Sequence, residues 1–181
     1  MKEHQKSEVI SWIKVIVFSF IVAFVCREFL FSPITVQGES MSPTFESNQK
    51  VVISKTSSID RFDIVVFKSH NRKDNYIKRV IGVPGDKIEV KDDILYINGK
   101  VFEEPYLKQK KNEVLFGQLT EDFTLEQSTD SSQVPEGYYF VMGDNRLKSY
   151  DSRMFGFVAE DVLLGEVKFR VFPLSNMGIV K

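Results

Sequence analysis

A single cysteine, Cys26, and two histidines, His4 and His70, are all that 181 residues offer of the side chains most used for disulfides, metal ligation and proton transfer near neutral pH. One cysteine cannot close an internal disulfide, and no Cys/His spacing typical of a metal site occurs. Neither a metal nor a redox function has support, and no cofactor is expected. A Ser-His-Asp triad would have to draw on His70, which lies in the polar run Lys68–Lys73 and reads as a solvated loop residue. Basic clusters are scarce as well. The formal net charge is −1 and Lys108, Lys110 and Lys111 form the one basic knot, so the electrostatic footprint of a nucleic-acid binder is missing. Otherwise the composition, 43% hydrophobic and 27% charged, is that of an ordinary globular chain with the length for one domain.

What is present begins with an apolar N-terminal segment. Its uninterrupted part runs from Val15 to Cys26, and it extends to Val9–Phe31 if Lys14, Arg27 and Glu28 are admitted. As a helix rising ~1.5 Å per residue it would reach roughly 34 Å, enough for a ~30 Å hydrocarbon layer if the charged side chains snorkel. A cleavable signal peptide is the alternative, but Ala23–Cys26 is a poor small-x-small site and the charged pair Arg27-Glu28 comes directly after it. Residues 1–31 are therefore read as a cytoplasmic tip and membrane anchor, residues 32–181 as a separate domain. Lys2, Lys6 and Lys14 lie on the N-terminal side, whereas Lys50 is the one Lys or Arg between Ser32 and Val51. That bias predicts a cytoplasmic N-terminus and an extracytoplasmic domain.

Beyond the anchor the pattern changes to short β-branched and aromatic runs. Strands are predicted at Ile34–Gln37, Val51–Ser54, Ile64–Phe67, Tyr76–Val83, Lys87–Val90, Ile94–Ile97, Lys100–Phe102, Tyr138–Met142 and Gly165–Phe172. Pro84-Gly85-Asp86 and Asn98-Gly99 mark turns, the second suiting a tight hairpin. Residues 103–136 are polar and read as an irregular insertion, and Ala159–Val162 as a short helical turn. The predicted fold is mainly β: one N-terminal helix, then a coiled antiparallel sheet with a looped-out middle.

For chemistry, Ser40 stands out because Gly38 and Pro43 bracket it in a turn after the first strand, where a hydroxyl and a backbone N–H can share one space. A lysine serves as general base only when neutral, so Lys78 would need burial beside Ile77, Val80 and Phe67. Lowering its pKa to about 8 corresponds to roughly 3 kcal/mol against the ammonium form. Ser47-Asn48-Gln49-Lys50 formally matches Ser-x-x-Lys, but Lys50 leads into a strand and the companion Lys-Thr-Gly is absent, so the match is chance.

Taken together, Gly38–Thr44, Arg61–Phe67, Tyr76–Asp86 and Gly143–Arg153 resemble, in order, the sequence blocks of type I signal peptidases of the Gram-positive kind, over most of the chain from the anchor to about Phe172. The resemblance implies a membrane-anchored serine endopeptidase that removes signal peptides from secretory precursors, near the translocon. By that resemblance Ser40 is the nucleophile, Lys78 the general base, and Ser149 a hydrogen-bonding partner that orients the lysine. Asp144, Arg146, Asp151 and Arg153 would hold the catalytic loop by pairing their charges. The family's preference for small residues at the first and third positions before the cut points to Met41, Phe45, Tyr76 and Ile77 as pocket residues. The Ser40 backbone N–H would meet the oxyanion, whereas some relatives add a serine hydroxyl where this chain has Gly38. A second departure is Phe62, where the family often has glycine. Two rivals, a catalytically silent precursor-binding homologue and a self-cleaving Ser/Lys repressor, are disfavoured, the first by the presence of both Ser40 and Lys78, the second by the anchor and the missing DNA-binding half.

Overall fold

A computed structural model describes residues 2–25, 27, 30–69 and 74–180. Cys26 and His70 lie outside the described residues. The chain opens with α1 (Lys2–Val25), whose described side chains from Ile10 to Val25 are exposed on every side. Among the described residues no helix is long and apolar enough to cross a membrane. Glu8 and Lys14 interrupt the apolar run of α1, and Phe31, expected at the end of the apolar helix, instead begins β1 opposite Ser54.

Among the described residues twelve strands come after α1, all pairing antiparallel. β1 (Phe31–Thr35), β2 (Lys50–Ser54), β3 (Ile64–Lys68) and β4 (Asn75–Gly82) are the first. Next are the hairpin strands β5 (Ile88–Lys91), β6 (Ile94–Ile97) and β7 (Lys100–Phe102), then α2 (Lys108–Glu113), β8 (Phe123–Thr124) and α3 (Leu125–Thr129). β9 (Tyr138–Met142), α4 (Ser152–Phe155), β10 (Val158–Ala159), β11 (Leu163–Phe172) and β12 (Gly178–Ile179) complete the order. The larger sheet has the order β1-β2-β11-β3-β4-β9-β10 with β12 beside β11, and the smaller has the order β7-β6-β5-β8. The expectation of one coiled sheet is corrected to two. β1 also starts three residues earlier than predicted; its Pro33 is tolerated because β1 is an edge strand.

Burial explains the sequence patterns. β3 reads as a continuous apolar run because both its faces are covered: Ile64 and Val66 point into a core with Val36, Met41, Phe45, Ile53 and Ile77, while Val65 and Phe67 point into a second with Val80 and Val141. A third core joins the sheets through Ile81, Phe140 and Met142 of the larger and Ile88, Val90, Leu95 and Ile97 of the smaller.

Segment 103–136 is not the irregular insertion expected. It contains a 3₁₀ turn at Pro105–Leu107, α2, β8 and α3, and β8 completes the smaller sheet against β5. α3 starts with a capping box in which Thr124 accepts from the Gln127 backbone and the Gln127 side chain accepts from the Thr124 backbone. The buried anchors Leu107, Leu119, Leu125 and Val134 are scattered singly, so no period in the sequence betrays them.

Phe62 takes φ 72°, the left-handed region that favours glycine. Its backbone is held there on both sides, N–H donating to Val80 O at 2.7 Å and C=O accepting from Arg79 Nη1 at 2.8 Å. The ring packs against Phe102 and Tyr106, centroids 5.9 and 6.3 Å away. Phe62→Ala retains the left-handed backbone cost of about 1 kcal/mol while losing the ring, whereas Phe62→Gly loses both. Urea denaturation of the detergent-solubilised chain should therefore find the glycine variant more stable than the alanine variant by about 1 kcal/mol.

Candidate active site

Ser40 stands in the turn that leaves β1, and two sets of contacts hold that turn. Beneath it Met41 and Phe45 are buried in the first core, with Phe45 N–H donating to Met41 O at 2.8 Å. Beside it Asn145 donates from its backbone N–H to Ser40 O and from its side chain to Glu39 O, each at 3.0 Å. Gly38, with φ 81°, lets the chain turn ahead of Ser40.

Lys78 lies mid-strand in β4, opposite Val65, and is 4% exposed. Its Nζ donates to Ser40 Oγ at 2.7 Å and sits 5.6 Å from the centre of the Tyr76 ring. Burial pushes its pKa down from 10.5 to about 8, against the smaller opposing pull of Asp151 and Asp144. A large part of the population is then neutral near pH 8, as a base requires.

Gly143–Arg153 packs over this pair. Gly143 is obligatory, since a Cβ there would collide with Ser149 Oγ and Ser40 O. Ser149 Oγ is buried and, among the described residues, has no hydrogen-bond partner. The expected bond from Lys78 is absent because Nζ turns to Ser40 instead. Each of the four charges expected to hold this loop is in an ion pair, two with each other and two with partners outside the loop. Asp151 and Arg153 are a pair, Nε to Oδ1 at 2.8 Å, and Asp151 also accepts from the Gly143 and Arg153 N–H groups. Asp144, fully buried, is instead gripped by Arg79 through two bonds of 2.9 and 2.8 Å and by the Thr44 hydroxyl. Arg146 pairs with Glu104 and also donates to Thr120 Oγ1 at 3.2 Å and Gly143 O at 3.1 Å.

Sequence reasoning missed Arg79, Glu104, Tyr106, Thr44 and Asn145. Tyr106 donates to Glu104 at 2.7 Å and lies 3.9 Å from the Arg79 guanidinium, with burial and the Glu104 charge holding its phenol well above 10. Arg79 adjoins Lys78 in an otherwise apolar strand, a signal that could have been read. Glu104 carries none, being one acid among several in a polar segment.

The four residues expected as pocket residues lie on two faces of β4. Met41, Phe45 and Ile77 are packed together in the first core, the first two at 1% and 0% exposure. Tyr76 points to the opposite face, into a cleft of about 660 Å³. Along β4, β9 pairs with Arg79, Val80 and Gly82, so among the described residues Asn75–Lys78 is laddered on the β3 side alone.

The model of the family described as "Signal peptidase, peptidase S26" matches residues 9–172. The chain belongs to the signal peptidase family. It is accordingly a serine endopeptidase of a family that works by a Ser/Lys dyad. Signal peptidase I of Bacillus caldolyticus is 51% identical over 84% of this chain and 85% of its own length. Signal peptidase IB of Staphylococcus aureus (strain COL) is 41% identical over 94% of this chain and 93% of its own. A crystal structure of a signal peptidase I from Enterococcus faecalis V583 superposes with a TM-score of 0.58 at 47% identity, covering 61% of this chain and 97% of that one.

The depressed lysine pKa ties the site to stability. Below about pH 8 Lys78 is protonated in both folded and unfolded states, and the fold bears the cost of a buried ammonium. Between about 8 and 10.5 the folded state has released its proton while the unfolded state keeps it, so this contribution to stability rises with pH, by at most about 3 kcal/mol. Lys78→Met should remove that rise: the stability gap between variant and parent, measured by urea denaturation, should narrow steadily from pH 7.5 to 10.

Proposed function

We propose that this chain removes signal peptides from secretory precursors, with Ser40 as nucleophile and Lys78 as general base. The observation that carries the assignment is the 2.7 Å contact between Lys78 Nζ and Ser40 Oγ at a lysine whose pKa is about 8. Neutral Lys78 takes the Ser40 proton as Oγ attacks the carbonyl carbon before the cut. The Ser40 backbone N–H meets the oxyanion, with no side-chain hydroxyl to help at Gly38. Lys78, now an ammonium, protonates the departing amine. Water activated by the same lysine then hydrolyses the ester and frees Ser40.

The precursor lies extended along the Asn75–Lys78 edge of β4, where main-chain bonds give affinity and alternate side chains give selectivity. Small residues at the first and third positions face Ile77, where Met41 and Phe45 close off depth. Ser149, without a hydrogen-bond partner among the described residues and beside Gly143, is available to the lysine once Nζ leaves Ser40. α1 anchors the protein in the bilayer, N-terminus in the cytoplasm and domain outside, close to the translocon. Its apolar side chains all round favour a lipid setting, and Lys14 can snorkel.

Ser40→Ala and Lys78→Ala should each abolish precursor cleavage by more than a thousandfold, and the double variant should lose little more, since the pair acts as one unit. In the parent, kcat/KM should climb with pH along a limb centred near 8, because the base must shed its proton. A limb at pH 4 to 5 that persists in Lys78→Ala would transfer the base role to a carboxylate. For topology, protease added to intact protoplasts should reach an epitope placed after Ser32 and spare one at Met1.

A further inference from the structure

The two faces of β4 differ in what they can hold. Side chains alternate along a strand, so Ile77 shares the face of the first core, while Tyr76, Lys78 and Val80 share the other. On that second face Phe67, Tyr76, Tyr138, Tyr150, Phe155 and Phe157 surround the cleft of about 660 Å³. Their rings are arranged as linked pairs, Phe67 with Tyr76 at 6.0 Å, Phe67 with Phe155 at 6.3 Å and Tyr150 with Phe155 at 5.3 Å. Tyr138 and Tyr150 nonetheless remain 41% and 55% exposed. An open, pre-formed aromatic cleft of this size is suited to a bulky apolar group. Its wall comes near the reacting atoms, because the centre of the Tyr76 ring lies 5.6 Å from Lys78 Nζ and Tyr150 is the next residue after Ser149.

An extended peptide on the free edge of β4 must alternate in the same way. If its first and third side chains before the cut turn to the Ile77 face, the second turns to the aromatic face. Resting on the Ser40/Lys78 reading above, we propose that the cleft receives a large apolar side chain at that second position, making it a third determinant of precursor choice. Lys68 is the one charged residue in the lining of the cleft among the described residues.

The test uses the full chain in detergent and precursors that differ only at the second position, bearing Ala, Phe or Glu. Phe should raise kcat/KM about tenfold over Ala, chiefly through KM, as expected of one apolar group entering an apolar pocket. Equal values for Ala and Phe, or the highest value for Glu through Lys68, would overturn the proposal while leaving the dyad intact, since all three are still cut. Failure to cut any of them would remove the dyad reading and the cleft together. Ala159→Trp, filling the cleft from β10, and Tyr150→Ala, removing a wall, should each bring the Phe-to-Ala ratio close to one. A ratio unchanged in either variant, with the fold checked by circular dichroism, would place the selection elsewhere and also overturn the proposal.

Discussion

Burial of one ammonium group governs the architecture of this protein. Lys78 sits mid-strand, between β3 and the loop that covers Ser40, where water cannot solvate its charge. Two carboxylates, Asp144 and Asp151, pull its pKa back up, but less than burial pushes it down. Each is matched by its own guanidinium, Asp144 by Arg79 and Asp151 by Arg153. Buried ion pairs of this kind add little net stability compared with apolar packing. Their effect here is geometric: Asp144 joins β4 to Thr44 of the serine turn, and Asp151 holds the Gly143 backbone against Ser40.

Segment 103–136 belongs to the same scheme. Glu104 neutralises Arg146, and Tyr106 covers Arg79, so the part of the chain with the least regular sequence completes the charge balance of the part with the most distinctive motifs. Phe62 fits there too. Its ring closes the contact with Phe102 and Tyr106 from a backbone conformation that glycine would adopt more easily, exchanging backbone strain for apolar packing at the edge of the Arg79 site.

Much of the larger sheet was legible because its strands carry the period of their burial, β3 apolar on both faces and Tyr138–Met142 matching β9 to the residue. Ser40 and Lys78 were legible as a candidate pair because a bracketed turn and a lysine within an apolar strand are both unusual. The partners of the charged residues were not. Asp144 and Arg79 are 65 positions apart, and Arg146 and Glu104 are 42 apart, so nothing local records who meets whom. Sidedness was not read from the sequence either: Tyr76 and Ile77 are neighbours in the chain, and the alternation along a strand sends them to opposite faces.

The proposed lysine base also accounts for what this site does without. A histidine base needs a third group to set its tautomer and aim its ring. A neutral amine has one lone pair and no tautomer to fix, so Lys78 needs only burial and a hydroxyl within reach, and the strand supplies the aim. The cost falls on stability, through an ammonium buried below about pH 8 and a serine hydroxyl, Ser149, buried without a partner among the described residues. The backbone around them is fixed, with β4 laddered to β3 at Lys78 and Gly143 held by Asp151. Such unrelieved polar groups concentrate where the chemistry occurs because the reaction relieves them. On the proposed mechanism Lys78 becomes an ammonium during attack and requires an acceptor, and the buried Ser149 hydroxyl, without a partner among the described residues, has capacity to spare.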